Sequence, residues 1–180
     1  LYVGGTFRDV NNNGVVLTAA DCIARWDGTN WSALGSNGAG NGALSGAVSN
    51  IWVNGTDVYV GGAFTNVNNN GIPLPTADYA VKWDGVNWSA LGSNGSGNGA
   101  VSGNAGVMAF GQLGGTILIG GYFYDLTDGA IILPGADHIA AWNGSHWSAL
   151  GSISNGSLAN GYGSSRVNAI LVDGTDVYVG

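Results

Sequence analysis

The sequence predicts an all-β protein built from tandem four-stranded antiparallel units, and three observations carry that prediction. First, a phrase running from Trp26 to Gly35 returns at Trp83 to Gly92 and again at Trp142 to Gly151. Second, three apolar residues closed by paired glycine stand at Leu1 to Gly5, Val58 to Gly62 and Ile117 to Gly121, and the phrase starts again at Val177. Its first glycines, Gly4, Gly61, Gly120 and Gly180, lie 57, 59 and 60 residues apart. A fixed period of this size marks stacked copies of one supersecondary unit. Third, the helical signal is poor: all 11 acids are Asp, Lys82 is the sole lysine, and 34 glycines interrupt every window.

Each unit reads as four strands. Ile51-Trp52-Val53 runs into Asn54-Gly55-Thr56 and then into Asp57-Val58-Tyr59-Val60. Asn-Gly between two apolar runs supplies the positive φ angles of a tight hairpin. Asp173-Gly174-Thr175 and Gly114-Gly115-Thr116 repeat the device. Paired glycine at the end of strand two marks a bulge or a close backbone approach. A polar stretch follows, with Asn11 to Gly14, Asn68 to Gly71 or Thr127 to Gly129; it reads as a long loop or an extended hairpin tip. Strand three follows Ala-Asp and carries Ile23 to Trp26, Ala80 to Trp83 or Ile139 to Trp142. Asp27-Gly28, Asp84-Gly85 and Asn143-Gly144 turn the chain into strand four, at Trp31 to Leu34, Trp88 to Leu91 and Trp147 to Leu150. A Gly/Ser/Asn linker such as Gly92 to Gly103 leads on, and its order must come from packing.

Four short antiparallel strands per unit, in chain order, is the pattern of a β-propeller blade. A β-solenoid competes, but its rungs are shorter and do not need two hairpins per unit. The phrase Tyr59-Val60-Gly61-Gly62-Ala63-Phe64, followed by Trp83-Asp84-Gly85 and Trp88, resembles a kelch-type repeat. It is most similar to the kelch-like propeller of the cortical cell-polarity marker family. The resemblance covers all three repeats. It departs from kelch repeats where Trp26, Trp83 and Trp142 replace the usual tyrosine. It implies a propeller fold and leaves function open, because kelch-like propellers host both binding proteins and oxidases.

Residues 1–180 then read as a segment of one β-propeller, with repeat phrases starting near 1, 58, 117 and 177. The segment begins and stops in strand two, so it holds four copies of that strand and three of each other. Three blades fall short of the roughly four to eight of a propeller ring. The expectation is a partial propeller whose terminal blades expose sheet edges and apolar faces, favouring further blades of the parent chain or self-association.

Composition narrows the function classes. Apolar residues make up 45% of the chain and charged residues only 8%. The net charge of −7 argues against nucleic acid and against an anionic membrane surface. No apolar run approaches the roughly 20 residues of a membrane helix. Cys22 is the single cysteine, so no internal disulfide forms. Rich Gly, Asn and Ser with almost no Lys lean toward an extracellular or cell-surface protein. Six Asn-x-Ser/Thr triplets, at Asn30, Asn54, Asn87, Asn94, Asn143 and Asn155, fall mostly in turns, where Asn serves the backbone as readily as it accepts a glycan.

The repeat also filters candidate chemistry. Asp21, Asp78 and Asp137 share one phase. Three equal carboxylates suit backbone N–H capture at the entry to strand three better than catalysis or calcium binding. The oxygen-rich stretch around Asp9, Asp125 and Asp128 lacks the spacing of a calcium loop. The Trp26/Trp31 pair and its copies, and Ser32, Ser89 and Ser148, read as packing. His138 stands where other repeats have Cys22 and Tyr79, and His146 where they have Asn30 and Asn87. Symmetry breaking is where a grafted site would show, yet two histidines without a third ligand make a weak metal signal. No catalytic, cofactor-binding or metal-ligating residue is assigned. The expected function is a non-enzymatic module for structural assembly, adhesion, or binding of a protein or glycan. The alternative is part of a propeller enzyme, a kelch-fold oxidase or sugar-acting protein, with its catalytic residues on other blades.

Overall fold

The computed structural model describes residues 1–101, 106–151, 158 and 165–180. It is all-β, with 19 short strands among the described residues. The first repeat holds β1 (Tyr2–Gly4), β2 (Val10–Asn12), β3 (Val15–Leu17), β4 (Ile23–Trp26) and β5 (Trp31–Ala33). The second holds β6 (Val48–Asn54), β7 (Asp57–Gly62), β8 (Val67–Asn69), β9 (Ile72–Leu74), β10 (Ala80–Trp83) and β11 (Trp88–Ala90). The third holds β12 (Gly106–Leu113), β13 (Thr116–Tyr122), β14 (Leu126–Asp128), β15 (Ile131–Leu133), β16 (Ile139–Trp142) and β17 (Trp147–Ala149). A last hairpin joins β18 (Ile170–Asp173) to β19 (Asp176–Val179).

The second and third repeats each form a four-stranded antiparallel meander, β6-β7-β10-β11 and β12-β13-β16-β17. The first repeat contributes β1-β4-β5. The polar stretch after the glycine pair is a separate two-stranded hairpin in every repeat, β2-β3, β8-β9 and β14-β15.

Turn chemistry corrects one sequence expectation. Asn54 and Asp57 close the β6–β7 hairpin, so its two-residue turn is Gly55-Thr56. Gly55 alone has positive φ, 61°, which makes this a turn of the II′ kind rather than an Asn-Gly turn with two positive φ angles. That Asn-Gly turn lies in the polar hairpin instead, at Asn13-Gly14 (φ 54° and 91°) and Asn70-Gly71 (φ 52° and 93°). Asn11 and Asn68 reinforce it by accepting from the Gly14 and Gly71 N–H groups, both at 2.7 Å. The Asp27-Gly28 turn is longer than a two-residue hairpin. Trp26 pairs with Trp31 across a four-residue loop, and Asp27 Oδ1 accepts from the N–H groups of Thr29 and Asn30, both at 2.8 Å.

The apolar residues pack between successive sheets. One cluster joins the first repeat (Ile23, Leu34, Leu44) to the second (Val58, Val60, Val81, Trp88). Another joins the second (Tyr59, Ala80, Leu91) to the third (Val107, Phe110, Ile119, Trp147). The glycine pair makes both the stacking and the sheet possible. A Cβ on Gly4, Gly61 or Gly120 would lie 2.3, 2.7 or 2.5 Å from Val48, Val107 or Val167 of the following repeat. A Cβ on Gly62 or Gly121 would lie 2.0 Å from the carbonyl oxygen of Ala47 or Gly106 in its own sheet. There strand one shifts register, between Val48 and Asn50 and between Val107 and Ala109. The first glycine therefore admits the neighbouring sheet, and the second admits a bulge.

Candidate functional site: the repeat interfaces and a repeat-breaking cavity

Most conspicuous polar residues of the sequence hold the repeats together. Asp21 accepts from the backbone N–H groups of Asp9 (3.0 Å) and Gly42 (3.1 Å). Asp78 does the same with Asn66 (2.8 Å) and Gly99 (2.9 Å), and Asp137 with Asp125 (2.8 Å). Each carboxylate fixes a residue in the left-handed region, Asp9, Asn66 or Asp125. Asp21 and Asp78 also pin the Gly-rich linkers at Gly42 and Gly99. Burial pushes the Asp21 carboxyl upward, but the two N–H groups and Arg8, 3.3 Å away, outweigh it and hold its pKa below the ordinary value.

The tryptophan pairs are cross-strand neighbours, with ring centroids 5.2, 5.1 and 5.1 Å apart for Trp26/Trp31, Trp83/Trp88 and Trp142/Trp147. The second member also reaches the preceding repeat. Trp88 Nε1 donates to the Leu34 carbonyl at 2.7 Å, and Trp147 Nε1 to the Leu91 carbonyl at 2.8 Å. Both bonds are buried. The hydroxyls of Ser32 and Ser89 face the Arg25 and Lys82 carbonyls at 3.5 and 3.4 Å. Asn94 and Asn143, candidate glycan acceptors, spend their Oδ1 atoms on backbone turns. Asn155 lies outside the described residues.

His146 belongs to this scaffold. Its Nδ1 lies 2.8 Å from Asp128 Oδ2. In the other repeats the same positions are Asn30 with Asn12 (3.4 Å) and Asn87 with Asn69 (3.2 Å). Both partners changed together, so the link between the polar hairpin and strand four survives. Cys22 is buried, and burial pushes its thiol upward despite nearby Arg8. A thiol so placed is a poor nucleophile.

His138 is different. It is 1% exposed, sits at φ 62°, and its Nδ1 is buried without a hydrogen-bond partner among the described residues. Its ring lies edge-on to Tyr124 at 4.7 Å. It lines a cavity of about 300 Å³ together with Leu158, Arg166, Val167, Val179 and Gly180. Arg166 breaks the repeat as well. Val48, Val107 and Val167 are equivalent, since each meets a strand-two glycine of the preceding repeat, so Arg166 stands where Ala47 and Gly106 stand. The sequence singles out His138 but gives no reason to connect it to Arg166, 28 residues on. The stacking of strand one on the preceding repeat makes that connection. His138 and His146 do not share a site.

A second groove, of about 270 Å³, runs between the second and third repeats beside Tyr59, Lys82, Gln112 and Asn143. Its lysine is already paired with Asp57 at 3.2 Å. No group of three or more metal-ligating side chains occurs among the described residues. Comparison with family models, curated proteins and solved structures returns no match.

Proposed function

We propose that the chain is part of a kelch-like β-propeller that serves as a non-enzymatic module for assembly, adhesion or partner binding, at the cell surface or outside the cell. One observation supports this reading above the others: every junction between sheets uses the same parts. A strand-two glycine receives a valine at or just before strand one of the next repeat, at Gly4/Val48, Gly61/Val107 and Gly120/Val167. A junction that repeats has two complementary ends. On one, Trp31 is half-buried, whereas its counterparts Trp88 and Trp147 are 2% and 4% exposed. On the other, Leu171 and Tyr178, counterparts of the stacked pair Trp52/Tyr59, are exposed. These are surfaces of the kind that the junction buries elsewhere, so the occupant that fits them is another repeat of the same type. It comes from further blades of the parent chain or from a second copy.

Sedimentation velocity tests the assembly directly. The protein is expected to associate as its concentration rises toward about 100 μM. Tyr178→Asp, which puts a charge on the end face, should suppress association while leaving the circular dichroism spectrum unchanged. A monomer at every concentration would exclude a second copy as the occupant, and association indifferent to Tyr178→Asp would overturn the assignment of this end face.

A further inference from the structure

We infer that the groove between the second and third repeats is a binding site for a neutral carbohydrate unit, held by Gln112 and the Lys82–Asp57 pair. The chain has one lysine and one glutamine. Both line this groove, and they come from different sheets, Lys82 from β10 and Gln112 from β12. Both depart from the repeat. Val53 and Val172 pair across their hairpins as Gln112 does, and Arg25 and Ala141 pair with strand two as Lys82 does. Gly115, also at the groove, stands where the other hairpins have Thr56 and Thr175. A Cβ on Gly115 would meet nothing within 4 Å, so the missing threonine side chain leaves that lip of the groove open. The groove lies between two complete four-stranded sheets. It is separate from the end faces, so its test and that of self-association fail independently.

The polar groups suit hydroxyls rather than a charged group. Lys82 Nζ lies 3.2 Å from Asp57 Oδ2, and each side chain is 31% exposed. The pair is formally neutral and open to solvent, and it keeps ammonium donors and carboxylate lone pairs for a ligand. Gln112 is half-buried, and its side-chain amide makes no hydrogen bond among the described residues. It offers an acceptor and two N–H donors. Asn143 spends its Oδ1 on its own turn but retains its amide donors. A hydroxyl donates and accepts at once, so adjacent hydroxyls of a sugar ring match such a mixed set. An anion would find the one cation here already balanced. Ile117 and Trp142 also line the groove and add apolar surface for the C–H face of the ring. A volume of about 270 Å³ is at the small end for ligand pockets and accommodates one sugar ring.

A single glutamine makes the test specific, because isotopic labelling of glutamine side chains gives one amide pair to follow by NMR. Methyl glycosides of glucose, galactose and mannose, and N-acetylglucosamine, are each titrated into the full chain to about 50 mM, within reach of a weak site. Glycerol at equal hydroxyl concentration and sodium sulfate run in parallel. At least one sugar should move the Gln112 amide saturably, and glycerol and sulfate should not. Gly115→Thr restores the other hairpins' residue and narrows the groove while keeping the reporter; it should weaken binding about tenfold. Gln112→Val, followed through saturation transfer to the sugar protons, should weaken it by about the same factor. Each variant carries the residue that the other repeats already hold, so loss of fold is not the expected cause. No sugar moving the amide, equal movement with glycerol, or sugar binding unchanged in both variants would overturn the inference. Saturation by sulfate in place of every sugar would overturn the assignment of a neutral carbohydrate.

Discussion

Asp21 shows how single side chains build this molecule. Its carboxylate accepts two backbone N–H groups and faces Arg8, and its folded pKa lies below the ordinary value for those reasons. A group with a depressed folded pKa contributes stability above its unfolded pKa. It loses that contribution as pH falls through the folded value. Stability should therefore fall as the solution is acidified below about pH 4. Asp21→Asn should cost about 1–3 kcal/mol at neutral pH, because one buried N–H is left facing an amide, and should flatten the acid dependence. Urea unfolding at pH 7 and pH 3 checks both expectations. A variant as stable as the parent at pH 7 would contradict the role. Threefold repetition in the sequence made this role legible. The His146–Asp128 link was not legible as a pair, because the coordinated change shows only once β14 and β17 lie side by side.

At the scale of elements, the glycine pair and the tryptophan clasp carry the stacking. Gly62→Ala would force a methyl against the Ala47 carbonyl and should cost about 2–3 kcal/mol. Trp88→Phe keeps most of the buried ring but removes the donor to Leu34, leaving a buried carbonyl unpaired at about 1–3 kcal/mol. Trp31→Phe should cost less, since Trp31 is only half-buried and its Nε1 makes no bond of the Trp88 kind among the described residues. Melting temperatures of the two tryptophan variants decide the matter, and equal losses would deny the clasp its inter-repeat role. Strand positions were readable because Asp-Gly turns and apolar runs punctuate them. Ile23–Trp26 and Trp88–Ala90 fall where the phrases place them. Strand one was readable only in part. β6 begins at Val48, and its first half packs on Gly4 rather than showing a period-two pattern. Turn types were the least readable, because an Asn-Gly pair takes different roles depending on which residues close the hairpin.

At the scale of the whole molecule, the apolar residues are divided between successive junctions, and few charges fit a sheet covered on both faces. The junctions are related but not identical. Trp52, Tyr59 and Phe110 fill the second with aromatic rings. In the third, Gly111 and Leu118 stand in place of Trp52 and Tyr59, and Gly111 admits Ile170 and Val172. The cavity beside His138 and Arg166 arises at this third junction. It could not be read from the sequence because it needs two distant strands in contact. The central claim is that these sheets are blades arranged about an axis. Small-angle X-ray scattering on the monomeric Tyr178→Asp variant tests it most directly. Blades fanning from an axis predict the pair-distance distribution of a curved wedge, broader than a stack of sheets spaced about 10 Å apart. The distribution of a straight stack at that spacing would contradict the propeller.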